Sequence, residues 1–470
     1  MKKLLFISIL ELIPLFVYAQ YTTVVTEKIG ACFPDLSTTY AVRNCTRRNI
    51  TVTYTYGPSG KAAFCAMKYD DYTSGAPTPS FPLFCVPLPA QLKGIGDFRI
   101  IGDYVCFGGP SATLYPPHFT TDFFGFFKLS ELMSGTTVNF KLMQIDDFVI
   151  EKIEGFKDDH GFKVFALGYY FFKQNLVDTN DYYAILEVDD PPTASGYTIK
   201  HDPISQQNPG NGFFDDIVIL DDKVVFVGSH LLTTPPSPPY PCWGPIKMRW
   251  VDKALGINDP QLDFIYYQTA TGPLPEDERN SRIQAKPIDG QTFVIGYTNT
   301  ELSTGVSTRR VRVFDSNMDN IVSQEYPIYN KLGMYEMVYN RKGETLTVLE
   351  PDGITSRFVF THPLNTTPYA ALTLQDANNY HHYLDTISGH QFISTQEDRW
   401  TFQVADQVSY ISGVNTNNCI NHSGLEVDII PHLKKTSLPN NLILEMPISI
   451  VVYPIGNVIS CTLPVICVSK

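Results

Sequence analysis

Residues 97–109 read DFRIIGDYVCFGG, and this stretch decides the fold because its pattern recurs along the chain. Residues 216–228 (DIVILDDKVVFVG) and 284–296 (QAKPIDGQTFVIG) repeat it in the same register without a gap. Residues 147–168 also repeat it if the turn carries nine extra residues. Each copy has a polar residue, an extended run, a turn built on Asp or Gly, a β-branched and aromatic run, and a final Gly. The pattern predicts a β-hairpin in every copy.

The spacing of the copies predicts how these hairpins are arranged. The final glycines of the four copies follow one another at intervals of 59, 60 and 68 residues. Further strand-like runs lie between the hairpins and would supply a third and a fourth strand to each sheet. Three weaker hairpin patterns share the same form: 51–67, 336–348 and 383–395.

Seven similar hairpins between residues 50 and 400, with no run of twelve or more residues at helical spacing, predict an all-β fold. Repeats of this size with several strands each are typical of propeller blades. We therefore predict a β-propeller over residues 20–410, most simply with seven blades, and with six or eight blades as the alternatives.

An aromatic run interrupts the repeat at residues 115–127 (YPPHFTTDFFGFF). Such a run can place aromatic rings at a binding surface or pack them between sheets. We favour a blade strand whose phenylalanines fill the core, because buried aromatic rings dominate core packing.

The two ends of the chain carry signals of their own. Residues 1–19 combine Lys2 and Lys3 with an apolar run and a small-residue cleavage site, which predicts a secretory signal peptide. The apolar segment 21–29 is predicted to complete the last blade as its outer strand. Residues 411–470 are predicted to form a short β-rich C-terminal extension: a hairpin packed on the ring, a ring-closing segment, or a signal for outer-membrane export.

Charge and hydropathy narrow the classes of partner. The chain has 35 basic and 48 acidic residues and a formal net charge of -13, which argues against nucleic acid and anionic membrane surfaces. After the signal peptide, no stretch reaches the roughly 18 apolar residues of a transmembrane helix. We therefore expect an exported protein without a transmembrane segment, in the periplasm, at the cell surface or outside the cell. The sequence carries no signal for a particular oligomeric state.

Nine cysteines follow the signal peptide, so an odd number leaves at least one thiol unpaired. An exported chain meets an oxidising compartment in which disulfides form, but the spacing does not define their connectivity. Cys65 and Cys106 lie in apolar runs, which favours buried, unreactive thiols. The nearest candidate pairs along the chain are Cys461 with Cys467 and Cys32 with Cys45.

The register of the repeat predicts a ring of polar residues. If the first strand of each copy is the innermost one, its leading residue lies at the same rim of the central funnel in every blade. Four of five leading residues are acids, so the ring would bind a divalent cation such as calcium, or hydroxyl-rich or cationic ligands. The alternative is that each acid caps a turn through its own backbone. The leading residues are Asp97, Asp147, Asp216, Gln284 and Glu336.

Histidines provide a second candidate site. His381, His382 and His390 flank one hairpin with Asp385 nearby, and His with carboxylate ligands can hold zinc. Their spacing matches no known ligand motif, and solvent-exposed loop histidines are the alternative.

The chain lacks the sequence motifs of the common hydrolases and nucleotide-binding proteins, including GxSxG, HExxH and GxGxxG. We therefore expect a non-enzymatic binding or interaction module without a required cofactor, whose ligand is a glycan or an envelope protein. The alternative is a carbohydrate-active hydrolase or lyase. Glycoside cleavage needs only two carboxylates set by tertiary structure, and these leave no motif.

In its hairpin repeat, its Lys-Lys signal peptide and its Asn- and Tyr-rich strands, the chain resembles the uncharacterised exported β-propeller proteins of Bacteroides-type bacteria. The resemblance covers about residues 45–410 and implies the propeller fold and export. The WD dipeptide, the kelch pattern and the sialidase Asp-box are missing, so the resemblance implies no catalytic residue.

Overall fold

The structure is a computed structural model that describes most of the chain between residues 24 and 468. The signal peptide predicted at 1–19 lies outside the described residues. The described ranges are 24–28, 40–47, 50–56, 62–68, 80–112, 120–135, 137–173, 179–201, 213–231, 243–258, 264–269, 278–301, 304–328, 335–340, 345–351, 355–361, 363–364, 370–375, 380–384, 391–395, 407–411, 428–430, 432–438, 443–445, 450–451, 456–457 and 459–468.

Strands make up nearly all of the regular structure in these ranges, with one short helix, α1 (Leu129–Met133), and a 3-10 turn at Gly256–Asn258. The first strands are β1 (Val24–Lys28), β2 (Tyr40–Arg47), β3 (Ile50–Tyr56), β4 (Ala62–Lys68), β5 (Ser80–Pro87), β6 (Asp97–Ile101), β7 (Tyr104–Pro110), β8 (Thr121–Lys128), β9 (Thr137–Val138) and β10 (Lys141–Asp146). The chain continues with β11 (Phe148–Asp158), β12 (Gly161–Lys173), β13 (Thr179–Asp189), β14 (Thr198–His201), β15 (Phe213–Ile219), β16 (Lys223–Leu231), β17 (Trp243–Asp252), β18 (Phe264–Thr269), β19 (Glu278–Pro287), β20 (Thr292–Glu301), β21 (Ser307–Asp315) and β22 (Asn320–Pro327). The last strands are β23 (Glu336–Asn340), β24 (Thr345–Pro351), β25 (Thr355–Thr361), β26 (Ala370–Gln375), β27 (Tyr380–Leu384), β28 (Gln391–Thr395), β29 (Gln407–Ile411), β30 (Asp428–Ile429), β31 (Leu433–Leu438), β32 (Ile443–Glu445), β33 (Ile450–Val451), β34 (Gly456–Asn457) and β35 (Ile459–Val468).

Most of the described strands fall into groups of four in which neighbours pair antiparallel. Two of these groups are joined through β35 into one nine-stranded sheet. From the inner to the outer strand, the groups are β2-β3-β4-β5, β6-β7-β8-β10, β11-β12-β13-β14, β15-β16-β17-β18, β19-β20-β21-β22, β23-β24-β25-β26 and β27-β28-β29-β1.

The first strands of these groups form a closed ring. β6 lies against β2 and β11, β15 against β11 and β19, and β23 against β19 and β27, while β27 also contacts β2. A ring of radially arranged four-stranded antiparallel sheets is a β-propeller, so the predicted all-β propeller fold is confirmed. The number of blades stays a prediction, because two groups share one sheet and parts of the ring lie outside the described residues.

Stacking between neighbouring sheets explains the sequence of the middle strands. β7 (YVCFGGP) and β8 (TDFFGFFK) are buried at every position except the last, because each face packs against another sheet. The phenylalanines of the aromatic run therefore fill the core, as predicted. The ring centroid of Phe64 lies 5.2–5.4 Å from those of Phe98, Phe107 and Phe127, which join the first two groups of strands.

The final glycines of the repeat allow close approach of the backbone. A Cβ added at Gly109 would overlap the carbonyl oxygen of Gly94, and one added at Gly168 would overlap that of Val149. Because no side chain fits at these positions, the repeat ends in Gly.

The N-terminal strand β1 completes the group that begins with β27. Its residues pair antiparallel with β29, from Val24 opposite Ile411 to Lys28 opposite Gln407. The segment predicted from the sequence therefore occupies the predicted sheet, but β35 lies beyond it as a further neighbour.

The six C-terminal strands, β30 to β35, form what we call the C-terminal belt. They run backward around the ring: β30 pairs with β22, β31 with β18, β32 with β14 and β33 with β10. β34 then pairs with β9, and β35 pairs with β5 through Ile459–Pro464 and with β1 through Val465–Val468. Within the described residues these strands do not pair with one another, so they are not the hairpin considered from the sequence.

The cysteines differ from the prediction at two places. Cys65 on β4 and Cys85 on β5 form a disulfide, so the prediction that Cys65 is a free thiol was wrong. Cys106 is a buried free thiol, as predicted. Cys461 and Cys467 are six residues apart on the continuous strand β35, about 20 Å at strand spacing. That separation exceeds the reach of a disulfide, which spans roughly 7 Å between Cα atoms.

The remaining candidate pair was Cys32 with Cys45. Cys45 on β2 is a free thiol that accepts a hydrogen bond from the backbone N–H of Ile100, and Cys32 lies outside the described residues. Burial raises the pKa of Cys45 to about 11, so the thiolate is disfavoured. In the described part of the chain, no helix is long and apolar enough to cross a membrane.

Candidate functional site

Two leading acids of the repeat each join their own inner strand to the next one in the ring. Asp97 Oδ2 accepts a hydrogen bond from the backbone N–H of Ile153, on β11, at 2.9 Å. Asp216 Oδ2 accepts one from Ala285 N–H, on β19, at 2.9 Å. Both carboxylates are buried and bond across the interface between neighbouring inner strands. Asp216 Oδ1 also accepts from the adjacent Ile217 N–H at 3.0 Å, the local capping bond that was the alternative prediction.

Gln284 has the same bridging role one strand later. Its Oε1 accepts from Met337 N–H at 2.8 Å, and its Nε2 donates to the carbonyl of Tyr335 at 2.8 Å. Glu336 begins β23 and pairs with Leu349 of β24, and its side chain lies outside the described atoms.

Asp147 does not take the equivalent position in its group. It lies in the turn before β11 with a φ of 55°, and its N–H donates to the carbonyl of Thr120 at 2.9 Å. A β-bulge between Ile150 and Lys152 shifts the register of β11. Lys152 pairs with Leu167, the residue before the closing Gly168, as Asp216 pairs with Val227, so Lys152 occupies the place that the repeat pattern predicted for Asp147. The extra residues predicted for the turn lie in the strands instead, because β11 and β12 stay paired as far as Asp158 and Gly161.

The structure adds cations to the predicted acids. Six charged side chains on four consecutive inner strands, β6, β11, β15 and β19, interact in sequence. We call them the inner-strand charge cluster: Asp97, Arg99, Lys152, Glu154, Asp216 and Lys286.

Arg99 joins the first two strands of the cluster. Its Nε lies 3.2 Å from Glu154 Oε2, and its Nη1 lies 3.1 Å from Asp97 Oδ1. Nη1 also donates to the carbonyl of Phe98 at 2.8 Å. Burial alone lowers the pKa of Arg99, but the charges of Asp97 and Glu154 outweigh burial and raise it.

Asp216 lies between two lysines from different strands. Lys152 Nζ is 3.1 Å from its Oδ1, and Lys286 Nζ is 3.7 Å from its Oδ2. Burial raises the pKa of Asp216, but the two lysines and the N–H of Ala285 outweigh it and lower the pKa to about 2. Asp216 is therefore a permanent anion at neutral pH.

Lys286 is less well compensated than its neighbours. Burial lowers its pKa most strongly, Asp216 opposes that effect, and the like charges of Lys152 and Arg99 lower the pKa further. The pKa of Lys286 is thus below its ordinary value, because the carboxylate of Asp216 does not offset both burial and the two neighbouring cations.

The acids and the cations of the cluster differ in exposure. The side chains of Asp97 and Asp216 are 0% and 2% exposed, whereas those of Arg99, Lys152 and Lys286 are 21%, 22% and 30% exposed. Each belongs to the innermost strand of its sheet, so the solvent that it meets lies towards the ring axis. The cluster therefore presents mainly positive charge to that solvent, with Glu154 as its half-exposed acid.

These contacts bear on the predicted calcium ring. Both oxygens of Asp97 and of Asp216 already accept from backbone N–H groups or face cations. A calcium ion takes six to eight oxygen ligands, and three neighbouring cations would repel it. The described part of the ring fits an anionic group better than a divalent cation.

Asp215 lies beside the cluster as the extra residue of a bulge between Phe214 and Asp216. Burial raises its pKa to about 7, with Lys247 opposing and the charge of Asp216 adding to the rise. Two adjacent carboxyl groups thus differ in protonation at neutral pH, since the pKa of Asp216 is about 2.

The predicted histidine site is only partly described. His381 and His382 lie on β27, opposite Ser394 and Ile393 of β28, and their side chains lie outside the described atoms, as does all of His390. Elsewhere, Asp158, Asp159 and His160 converge at the tip of the β11–β12 hairpin. All three are exposed, Asp158 is bound to Lys253, and His160 Nδ1 lies 3.5 Å from Asp158 Oδ1 and 3.4 Å from Asp159 Oδ1, so this group is a solvated turn whose charged side chains contact one another.

Three cluster residues that were not predicted from the sequence lie two positions after the leading residue of their strand. Arg99 and Lys286 lie two positions after Asp97 and Gln284, the leading residues of their copies. Glu154 lies two positions after Lys152. Alternate residues of a strand share a face, so leading residues and their second neighbours project together. That signal was present in the sequence for β6 and β19, whereas in β11 the leading place was assigned to Asp147 and not to Lys152.

Asp122 on β8 is a buried carboxyl outside the cluster. Its Oδ2 accepts from Ile150 N–H at 2.8 Å, and its Oδ1 has no hydrogen-bond partner within the described residues. Burial raises the pKa of Asp122 from 3.8 to about 7, and the single N–H offsets only part of the rise.

Asp122→Asn is expected to remove a pH-dependent loss of stability. The folded chain holds a proton on Asp122 that unfolding releases between about pH 4 and pH 7, so wild-type stability falls as pH rises through this window. The rise of about three pKa units corresponds to up to about 4 kcal/mol above pH 7. Denaturant titrations at about pH 5 and about pH 8 should therefore show a larger gain for Asp122→Asn at the higher pH.

Asp222→Asn is the matched control for this prediction, because Asp222, in the turn between β15 and β16, is exposed. We expect it to change stability equally at both pH values. If Asp122→Asn also gave the same change at both, the buried, unpaired state of Asp122 would be refuted.

No protein-family model matches the chain, and no curated protein matches it. The structure of the Dos1 propeller is 9% identical, with a TM-score of 0.42, over 80% of this chain and 93% of that chain. The β-propeller domain of the Trilobed protease from Pyrococcus furiosus, described with an open velcro topology, is 8% identical, with a TM-score of 0.37, over 82% and 98%.

Proposed function

We propose that this protein is an exported, non-enzymatic binding module whose ligand contacts the inner-strand charge cluster near the ring axis. One observation carries the proposal: charged side chains from four consecutive inner strands are held in place by hydrogen bonds yet remain partly open to solvent. Groups that are fixed before binding lose little conformational freedom when a ligand arrives, and this favours affinity.

The protonation states in the cluster favour binding over catalysis. Asp97 and Asp216 accept backbone N–H groups and face cations, and the pKa of Asp216 is about 2, so Asp216 serves as a fixed anion. A general acid must carry a proton near the working pH, which requires a raised pKa. The cluster itself supplies charge and hydrogen bonds, which are the functions of a recognition surface.

The proposal includes export and an envelope ligand. The Cys65–Cys85 disulfide supports export, because disulfides persist in oxidising compartments. The ligand is a glycan or an envelope protein, as the sequence analysis expected. The net charge of -13 continues to argue against nucleic acid.

A carbohydrate-active hydrolase is the second candidate, and one observation favours it. Asp215 has a pKa near 7 and the adjacent Asp216 has a pKa near 2. Two carboxyl groups with separated pKa values are what acid–base cleavage of a glycosidic bond requires.

A single experiment separates the two candidates. The purified exported chain is tested against a panel of neutral and acidic oligosaccharides for a rise in melting temperature and for release of reducing ends. Selective binding raises the melting temperature by mass action. The binding module predicts a shift with no release of reducing ends, and the same shift in Asp215→Asn.

Two other outcomes are informative. Release of reducing ends that is lost in Asp215→Asn would establish the hydrolase and overturn the binding module. If no glycan produced a shift while a pull-down from envelope extract recovered a protein, and that recovery failed with Lys152→Ala, the ligand would be the protein.

A further inference from the structure

We propose that the inner-strand charge cluster recognises the carboxylate of an acidic sugar, with the sugar hydroxyls bound beside it. The inference rests on the binding role proposed above and specifies the chemistry of its ligand. It reverses the expectation from the sequence, in which a ring of acids would attract cations.

Arg99 has hydrogen-bond donors that its contacts with the described residues do not use. Within the described residues, Arg99 commits its Nε to Glu154 and its Nη1 to Asp97 and Phe98, which leaves Nη2 for a ligand. A guanidinium presents five N–H donors in a planar fork that suits a carboxylate.

Within the described residues, Lys286 makes one long ion pair, with Asp216. Its Nζ lies 3.7 Å from Asp216 Oδ2, which is an ion-pair distance but beyond an ordinary hydrogen bond. An ammonium carries three donors, and Lys286 is the most exposed cation of the cluster, at 30%. Asp216 also pairs with Lys152, so it balances the charge of Lys286 only in part. A ligand carboxylate at this position would neutralise the remaining positive charge of Lys286.

A hydrogen-bond acceptor, the carboxylate of Glu154, lies next to these donors. Glu154 accepts from Arg99 Nε and from Gly155 N–H, and its side chain is 29% exposed. A carboxylate offers about four acceptor positions, so Glu154 can also accept from sugar hydroxyls. Cationic donors beside a free acceptor match a ligand that carries both carboxylate and hydroxyl groups, which is the chemistry of a uronic acid.

The test compares three oligosaccharides of equal length by calorimetry: an oligogalacturonate, its methyl ester and a neutral galactan. We expect the free acid to bind at least about tenfold more tightly than the ester, because hydrogen bonds to charged groups contribute about 1.5–3 kcal/mol. Affinity for the acid should fall as salt rises. Equal affinity for acid, ester and galactan would overturn the inference while leaving the binding module in place.

Variants locate the contact. Lys286→Gln is expected to weaken oligogalacturonate binding about tenfold, because it removes a charged donor to the ligand carboxylate. Lys286→Arg should restore most of the affinity. The matched control is Lys223→Gln, which removes a half-buried lysine bound to the Ser316 carbonyl at 2.7 Å, outside the cluster.

Two results would refute the assignment. Unchanged acid binding in Lys286→Gln, with its melting temperature intact, would place the carboxylate elsewhere. Tighter binding of a hexaglutamate peptide than of oligogalacturonate would replace the sugar by an acidic polypeptide. Absence of binding to every sugar and to the peptide would overturn the inference and leave an envelope protein as the ligand of the proposed binding module.

Discussion

Removal of residues 428–470 is expected to lower the free energy of unfolding by more than about 5 kcal/mol and to produce aggregates. The truncation deletes the C-terminal belt, which pairs with the outer strands β5, β10, β14, β18 and β22. Single-residue changes above 4–5 kcal/mol are already exceptional, and this change strips a strand from five sheets. Unpaired outer edges are templates for pairing with other chains.

Size-exclusion chromatography with light scattering and thermal unfolding measure this effect. The control is a chain that lacks only residues 469 and 470, which keeps β35 complete and should remain monodisperse. A truncated chain that eluted as a single species with an unchanged melting temperature would show that the belt does not stabilise the ring.

Glu350→Ala is expected to cost about 3–5 kcal/mol, because it leaves a buried guanidinium without its carboxylate. Arg309 Nε lies 3.2 Å from Glu350 Oε1, and the two side chains are 1% and 0% exposed. Arg309 also stacks on the ring of Tyr335, at 3.6 Å, and donates to Thr298 at 2.6 Å. These contacts fix the charge where water cannot replace the lost partner.

The neighbouring ion pair supplies a control on the same strand. Arg310 Nε lies 2.9 Å from Glu325 Oε2, but these side chains are 15% and 21% exposed, so Glu325→Ala should cost about 1 kcal/mol or less. Denaturant titration of both variants measures the difference. A double Arg309→Leu and Glu350→Leu variant should recover much of the loss, and a Glu350→Ala cost no larger than that of Glu325→Ala would contradict the argument.

The local hairpins could be predicted because their signal lies within each copy. A period of two, Asp or Gly at the turn and a closing Gly act over about thirteen residues, and the structure pairs Asp97–Ile101 with Tyr104–Gly108 accordingly. The phenylalanines of β8 were assigned to the core for the same reason. Local pattern was sufficient wherever a strand pairs with its sequence neighbour.

The belt could not be predicted because its pairing is set by distant edges. Leu433–Leu438 reads LKKTSL, which lacks strict alternation, and it is a strand because β18 offers six residues to pair with. Several other belt strands have only two or three residues. Strands this short are specified by the sheet that they join, and tertiary context decides β propensity.

The charge cluster was predictable only in part. Asp97, Asp216 and Gln284 were named from the repeat, and the structure places them at one position of successive inner strands. Lys152, five residues after Asp147, takes the place predicted for Asp147, because the extra residues of this copy lie in the strands of the β11–β12 hairpin and not in its turn. The spacing of the repeat alone does not show whether extra residues lie in a turn or in the strands on either side of it.

The backward course of the belt has a consequence for biosynthesis. A ribosome releases the strands of the ring in order, but the outer partners of β5, β10, β14, β18 and β22 are all encoded after residue 427. Every sheet that receives a belt strand therefore keeps an open edge until residues 428–468 have been made. A chain that is exported unfolded, and that folds only after these residues have arrived, would not expose open sheet edges during translation.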